Sequence, residues 1–135
     1  MIGLRVAVCA VLLTAGAAHA YTPSVDYALN CQGCHLDDGA GTPGSVPALA
    51  GSVGRFMRVR GGREYLAQVP GVATSPLDDA ALAAVLNWML ERFGPPQLPA
   101  KYEAYTASEV GALRQKPLTN VDRVRAELLR DVDRR

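Results

Sequence analysis

This 135-residue chain has little with which to grip a metal or form a covalent bond: three cysteines, two histidines and three methionines. It has one CxxC run, no second one, and no HxxxH pair, so a four-ligand zinc site lacks its ligands. No segment alternates apolar and polar residues as a strand does, and no internal repeat or low-complexity tract occurs. That removes the βαβ context in which a bare CxxC reads as a thioredoxin-like redox pair. The apolar run from Val6 to Ala18 is shorter than the roughly 20 residues that span a bilayer. Charge of one sign is missing too. With Arg5 set aside, thirteen basic side chains stand against thirteen acidic ones, which argues against nucleic acid as a partner.

What is present begins at the N-terminus. Arg5, the apolar run and the small residues Ala18 and Ala20 form a secretory signal peptide with an A-x-A-like end. Cleavage after Ala20 would make Tyr21 the first residue and remove Cys9 and His19. Two cysteines and one histidine then remain, all inside Cys31-Gln32-Gly33-Cys34-His35. On one helical turn, positions i, i+3 and i+4 share a face, so two sulfurs and an imidazole meet a single partner. CxxCH is the attachment pattern of c-type haem: Cys31 and Cys34 anchor the porphyrin through thioethers and His35 binds the iron. A plain Cys31–Cys34 disulfide is the competing reading. Export fits haem attachment, since the thiols must meet the cofactor outside the reducing cytosol, and the expected compartment is a bacterial periplasm.

The rest of the chain reads as helix and loop. Ser24 suits an N-cap for a short helix running into the motif. Asp37 to Gly54, rich in glycine and proline, predicts a loop that wraps a flat cofactor. Arg63 to Val69 suits a short helix ended by Pro70-Gly71. Ser75 to Asp79 then caps a long helix with Leu82, Val85, Leu86, Met89, Leu90 and Phe93 on one face, stopped by Gly94-Pro95-Pro96. Beyond Pro99 a helical pair is expected, opened by Ser108-Glu109 and capped by Asn120. The charges of its second helix, Arg123, Arg125, Glu127 and Arg130 among them, read as a solvated face. Arg55, Arg58, Arg60 and Arg63 read either as partners for haem propionates or an acidic redox partner, or as a solvated loop. The predicted organisation is all-α: a signal peptide at 1–20, a haem domain at 21–98 and a C-terminal helical extension at 99–135.

CxxCH after a short helix, Pro47-Ala48-Leu49-Ala50-Gly51, a Tyr-Leu helix and a closing helix bearing Trp88 together resemble the class I cytochrome c family over about Ser24 to Phe93. The resemblance implies one covalent haem c in a small helical domain. It also implies that the Pro47 carbonyl accepts a hydrogen bond from His35, and that a methionine before the last helix supplies the sixth ligand. Here that loop has no methionine, and Val72 stands about where one is expected. Met57 is the candidate sixth ligand, an open or water-bound position is the alternative, and Met89 fits a packed core residue. The function implied is single-electron carriage between a dehydrogenase or respiratory membrane complex and an acceptor, not enzymatic catalysis. An open distal site would instead make a haem-based binder or sensor of small ligands. A third reading is a fixed subunit of a larger redox complex, gripped by the C-terminal pair.

Overall fold

The structure, a computed structural model, describes residues 21–134; the expected signal peptide lies outside the described residues. Among these residues there are eight helices and no strand beyond an isolated Thr42–Val46 bridge. Helix α1, Pro23–Asn30, starts two residues earlier than expected. Proline's fixed φ suits the first helical turn, so Pro23 takes N1 and the extended Thr22, not Ser24, is the N-cap. The motif forms the single turn α2, Gln32–His35, in which the Cys31 carbonyl accepts from the amides of Cys34 and His35. Residues 36–52 are loop, followed by α3, Val53–Phe56. Helix α4 is Gly62–Gln68. Pro70-Gly71 ends α4 and also opens the single turn α5, Pro70–Ala73, again with proline at the helix start.

Helix α6, Asp79–Phe93, is the centre of the fold. The Asp78 carboxylate accepts from the Ala81 amide at 2.8 Å, and Leu82, Val85, Leu86, Met89, Leu90 and Phe93 are all buried, as their spacing predicts. Helix α1 packs on it through an aromatic cluster: the Tyr27 ring lies 5.1 Å from Trp88 and 5.4 Å from Phe93, which themselves meet edge to face.

The C-terminal pair, α7 (Ala107–Arg114) and α8 (Val121–Asp133), folds back onto α3, α4 and α6. Tyr105, Val110 and Leu128 join the same hydrophobic core as Tyr27 and Leu90. The arginine run accounts for much of this docking, and most of it follows neither expected reading. Arg63 donates to both Glu109 carboxylate oxygens and to the carbonyls of Glu103 and Ala104. Arg55 pairs with Asp133, and Arg58 donates to the Gln97 carbonyl. Arg60 alone of the four stays in solvent without such a bond. Arg114, on α7, reaches the other way to the carbonyls of Ala73, Ser75 and Leu77 and to Asp79.

Candidate haem site

Three turns of backbone set up the motif. The Tyr27 hydroxyl, buried beneath α6, donates to the Leu36 carbonyl at 2.6 Å. Burial, with the Cys31 thiol and the Asp38 and Asp37 carboxylates adding, pushes this phenol up to about 12 and keeps it a donor. The bond holds Leu36 at φ 64°, a conformation that costs a non-glycine residue about 1–3 kcal/mol and that turns the chain sharply after His35. Gly41 then donates to the His35 carbonyl at 3.0 Å. Its φ is +68°, and a β-carbon there would collide with the Val46 carbonyl oxygen, so only glycine lets the loop close this tightly.

The closed loop brings the Pro47 carbonyl to 3.1 Å from His35 Nδ1. A carbonyl only accepts, so Nδ1 carries the proton and Nε2 is left as the metal-binding nitrogen. Burial lowers the His35 pKa and the bond to Pro47 raises it, with burial the larger effect, so the ring is held neutral as ligation requires. Cys31 and Cys34 are both free thiols; burial first, then Asp26 and Cys34, push Cys31 up. These three side chains and Pro47 line one cavity of about 270 Å³. Its other walls are chiefly apolar, from Leu49 before α3 and Val53 at its start, Leu66 and Val69 on and after α4, and Leu86 and Leu90 on α6. Two thiols, a neutral imidazole with one nitrogen committed, and an apolar hollow beside them fit a covalently held porphyrin.

No family model matches the chain. Over 128 residues it is 36% identical to a cytochrome c-552 of Thermus thermophilus, an alignment that takes in 82% of this chain and 86% of that protein. A second cytochrome c-552 from Thermus thermophilus is 37% identical over 107 residues, 66% of this chain and 82% of that one. The chain belongs to the class I monohaem cytochrome c family. As a member it is an electron-transfer protein carrying covalent haem c, not an enzyme, and redox proteins are its partners.

Of the residues the sequence nominates in this cytochrome, Cys31, Cys34, His35 and Pro47 come together. Met57 does not join them: it caps the end of α3, half-buried against the core, and is not among the cavity's lining residues. Among the described residues, the one thioether that lines the cavity is Met89. Val72, in the methionine-free loop, lines it as well.

On the α4 and α8 side of the cavity, two polar residues escape the sequence reading. Tyr65, on α4, is 5% exposed and its ring stacks on Phe56 at 4.9 Å. Arg125, assigned to a solvated face, is half-buried instead, with its guanidinium 5.9 Å from the Phe56 ring centre and beside the Tyr65 phenol. A signal for it exists, since Arg125 follows Val121 by four and precedes Leu128 by three and so shares their inward face. Burial pushes the Tyr65 phenol up, and Arg125 offsets part of that.

Proposed function

We propose that Cys31 and Cys34 form the two thioethers to haem c, that His35 is the axial ligand oriented by Pro47, and that the protein carries single electrons in a bacterial periplasm between a dehydrogenase or membrane respiratory complex and an acceptor. The observation that carries this reading is the His35 Nδ1 to Pro47 carbonyl contact beside two free thiols and an apolar cavity. Bound haem supplies a one-electron iron couple. The chain's own residues do the rest. Pro47 fixes the tautomer and heading of His35, Leu49, Leu66 and Leu86 keep water from the pocket, and the exposed Cys34 sits where the pocket meets solvent. No described helix is long and apolar enough to cross a membrane.

The test is expression in a bacterium with working c-type maturation, followed by intact mass and optical spectra. The expected product begins at Tyr21, is red, gains one haem mass that survives denaturation, and is reduced and reoxidised by one electron. A colourless periplasmic product of bare polypeptide mass would refute the assignment, as would full haem loading in a Cys31→Ser/Cys34→Ser variant.

A further inference from the structure

Among the described residues Asp26 is the one charged side chain that is buried, 4% exposed, and the haem attachment proposed above gives it no task. It lies one turn before Asn30 on the same face of α1: the Asn30 side-chain amide donates to the Asp26 carbonyl at 2.8 Å, and Asn30 lines the cavity. Its carboxylate is also near enough to the Cys31 thiol to push that thiol up. No lysine, arginine or histidine of the described residues comes within ion-pair distance of it. The sequence supplies none nearby, since residues 21–54 hold no lysine or arginine and only three acids, Asp26, Asp37 and Asp38. Asp37 and Asp38 are exposed, so water and salt screen them, whereas Asp26 is buried. The start of α1 favours a negative charge in its first turn, yet an exposed carboxylate would serve that end equally well. A buried anion without a partner is poorly compensated until a positive charge forms beside it.

We propose that the Asp26 carboxylate holds the midpoint potential of the haem down, by stabilising the ferric form over the ferrous one. Reduction brings one electron from the redox partner to the iron and removes one unit of positive charge from the haem core. A fixed anion beside the anchoring sulfur therefore favours the state before that electron arrives, and its burial makes the preference larger than an exposed carboxylate could give. Asp26 itself exchanges no electron and ligates nothing. This rests on the haem attachment proposed above.

A spectroelectrochemical titration of the holoprotein at neutral pH tests it. In Asp26→Asn, which keeps the shape of the side chain, the balance between ferric and ferrous haem should move about 10-fold toward ferrous, a rise of about 59 mV for a one-electron couple. The absorption bands of both oxidation states should stay as in wild type, since no ligand changes. Asp26→Ala, also neutral, should move the potential the same way. Asp37→Asn, at an exposed site, should change the balance less than about 2-fold. A potential that stays put or falls in Asp26→Asn and Asp26→Ala, with haem attached, would overturn the proposal and leave the attachment reading intact; a wild-type protein without haem would overturn both. A rise accompanied by altered bands would assign the effect to a rearranged haem site, and a rise that Asp37→Asn matches would assign it to net charge; either refutes the role of burial. Failure of both neutral variants to take up haem, with Asp26→Glu loading normally, would make Asp26 a folding residue and equally refute it.

Discussion

Residues 36–52 and residues 99–134 both lie against the central helices of this cytochrome, but different interactions hold them. The first segment is loop throughout. It is kept by backbone bonds such as Leu49 and Ala50 to the Gly39 carbonyl, by the Thr42–Val46 bridge and by the Pro47 contact with His35, and of its larger apolar side chains only Leu49 is buried. The second is clamped by the protein itself. Two arginines each satisfy two or three carbonyls and a carboxylate, Asn87 pairs with both the amide and the carbonyl of Tyr105, and Val110 is fully buried. The loop faces a cavity, and its order therefore depends on the haem that fills the cavity. The extension meets the cavity only through Val121 and Arg125 and otherwise faces polypeptide, so its order depends on the haem far less. The haem-facing part of the fold is thus the part whose stability is conditional.

Removing the haem should break the comparison most forcefully. Leaving 270 Å³ empty would cost about 6 kcal/mol at ~24 cal/mol per Å³ if the walls held still, and less as they collapse. In Cys31→Ser/Cys34→Ser the melting temperature should fall by about 15 °C or more, and the transition should broaden. Hydrogen exchange should show residues 36–52 losing protection first while residues 107–133 retain most of theirs. A sharp, unshifted melt, or equal loss of protection in both segments, would erase the distinction.

The opposite perturbation is Arg114→Ala. Its side chain is 12% exposed and serves the carbonyls of Ala73, Ser75 and Leu77 as well as Asp79, so truncation leaves several part-buried acceptors unpaired. We expect a loss of about 2–4 kcal/mol in urea unfolding, with the haem spectrum unchanged. Arg114→Lys should recover only a fraction, since an ammonium cannot present a planar fork to several carbonyls. A loss below about 0.5 kcal/mol would show that apolar packing alone seats the extension.

How much of this is legible in the sequence follows the same divide. Cysteine, histidine and the spacing between them are local signals, so the haem motif, its helical turn and the long face of α6 can be read directly. Pro47 comes through resemblance, because nothing local shows that a loop will fold twelve residues back onto a histidine. The arginine clamps are not legible, since a run of Arg55, Arg58, Arg60 and Arg63 looks the same whether its partners are water, a propionate or carbonyls some forty residues away. Arg125 is misassigned when charge is weighted above helical register. The amphipathic spacing of Val121 and Leu128 carries the better information.

The smallest expected effect sharpens the comparison by pH. Arg63 holds the Glu109 carboxyl below its usual value of 4.5, chiefly through their hydrogen bond, which outweighs the opposing effect of burial. A carboxyl with a depressed folded-state pKa binds fewer protons folded than unfolded. Its stabilisation is therefore complete above pH 4.5 and declines as pH falls through the lower, folded value. Glu109→Gln removes this contribution, so the stability gap between wild type and variant should be present at pH 7 and close progressively below pH 4.5, as followed by urea unfolding at a series of pH values. Residues 36–52 contain no such clamp, and the His35 environment should report no matching change between the two proteins in its haem spectrum over that range. A gap that stays constant down to pH 3 would mean the Glu109–Arg63 bond adds nothing in solution, leaving the Arg63 carbonyl contacts and the Tyr105 ring, 4.1 Å from the guanidinium, to seat this end of the extension.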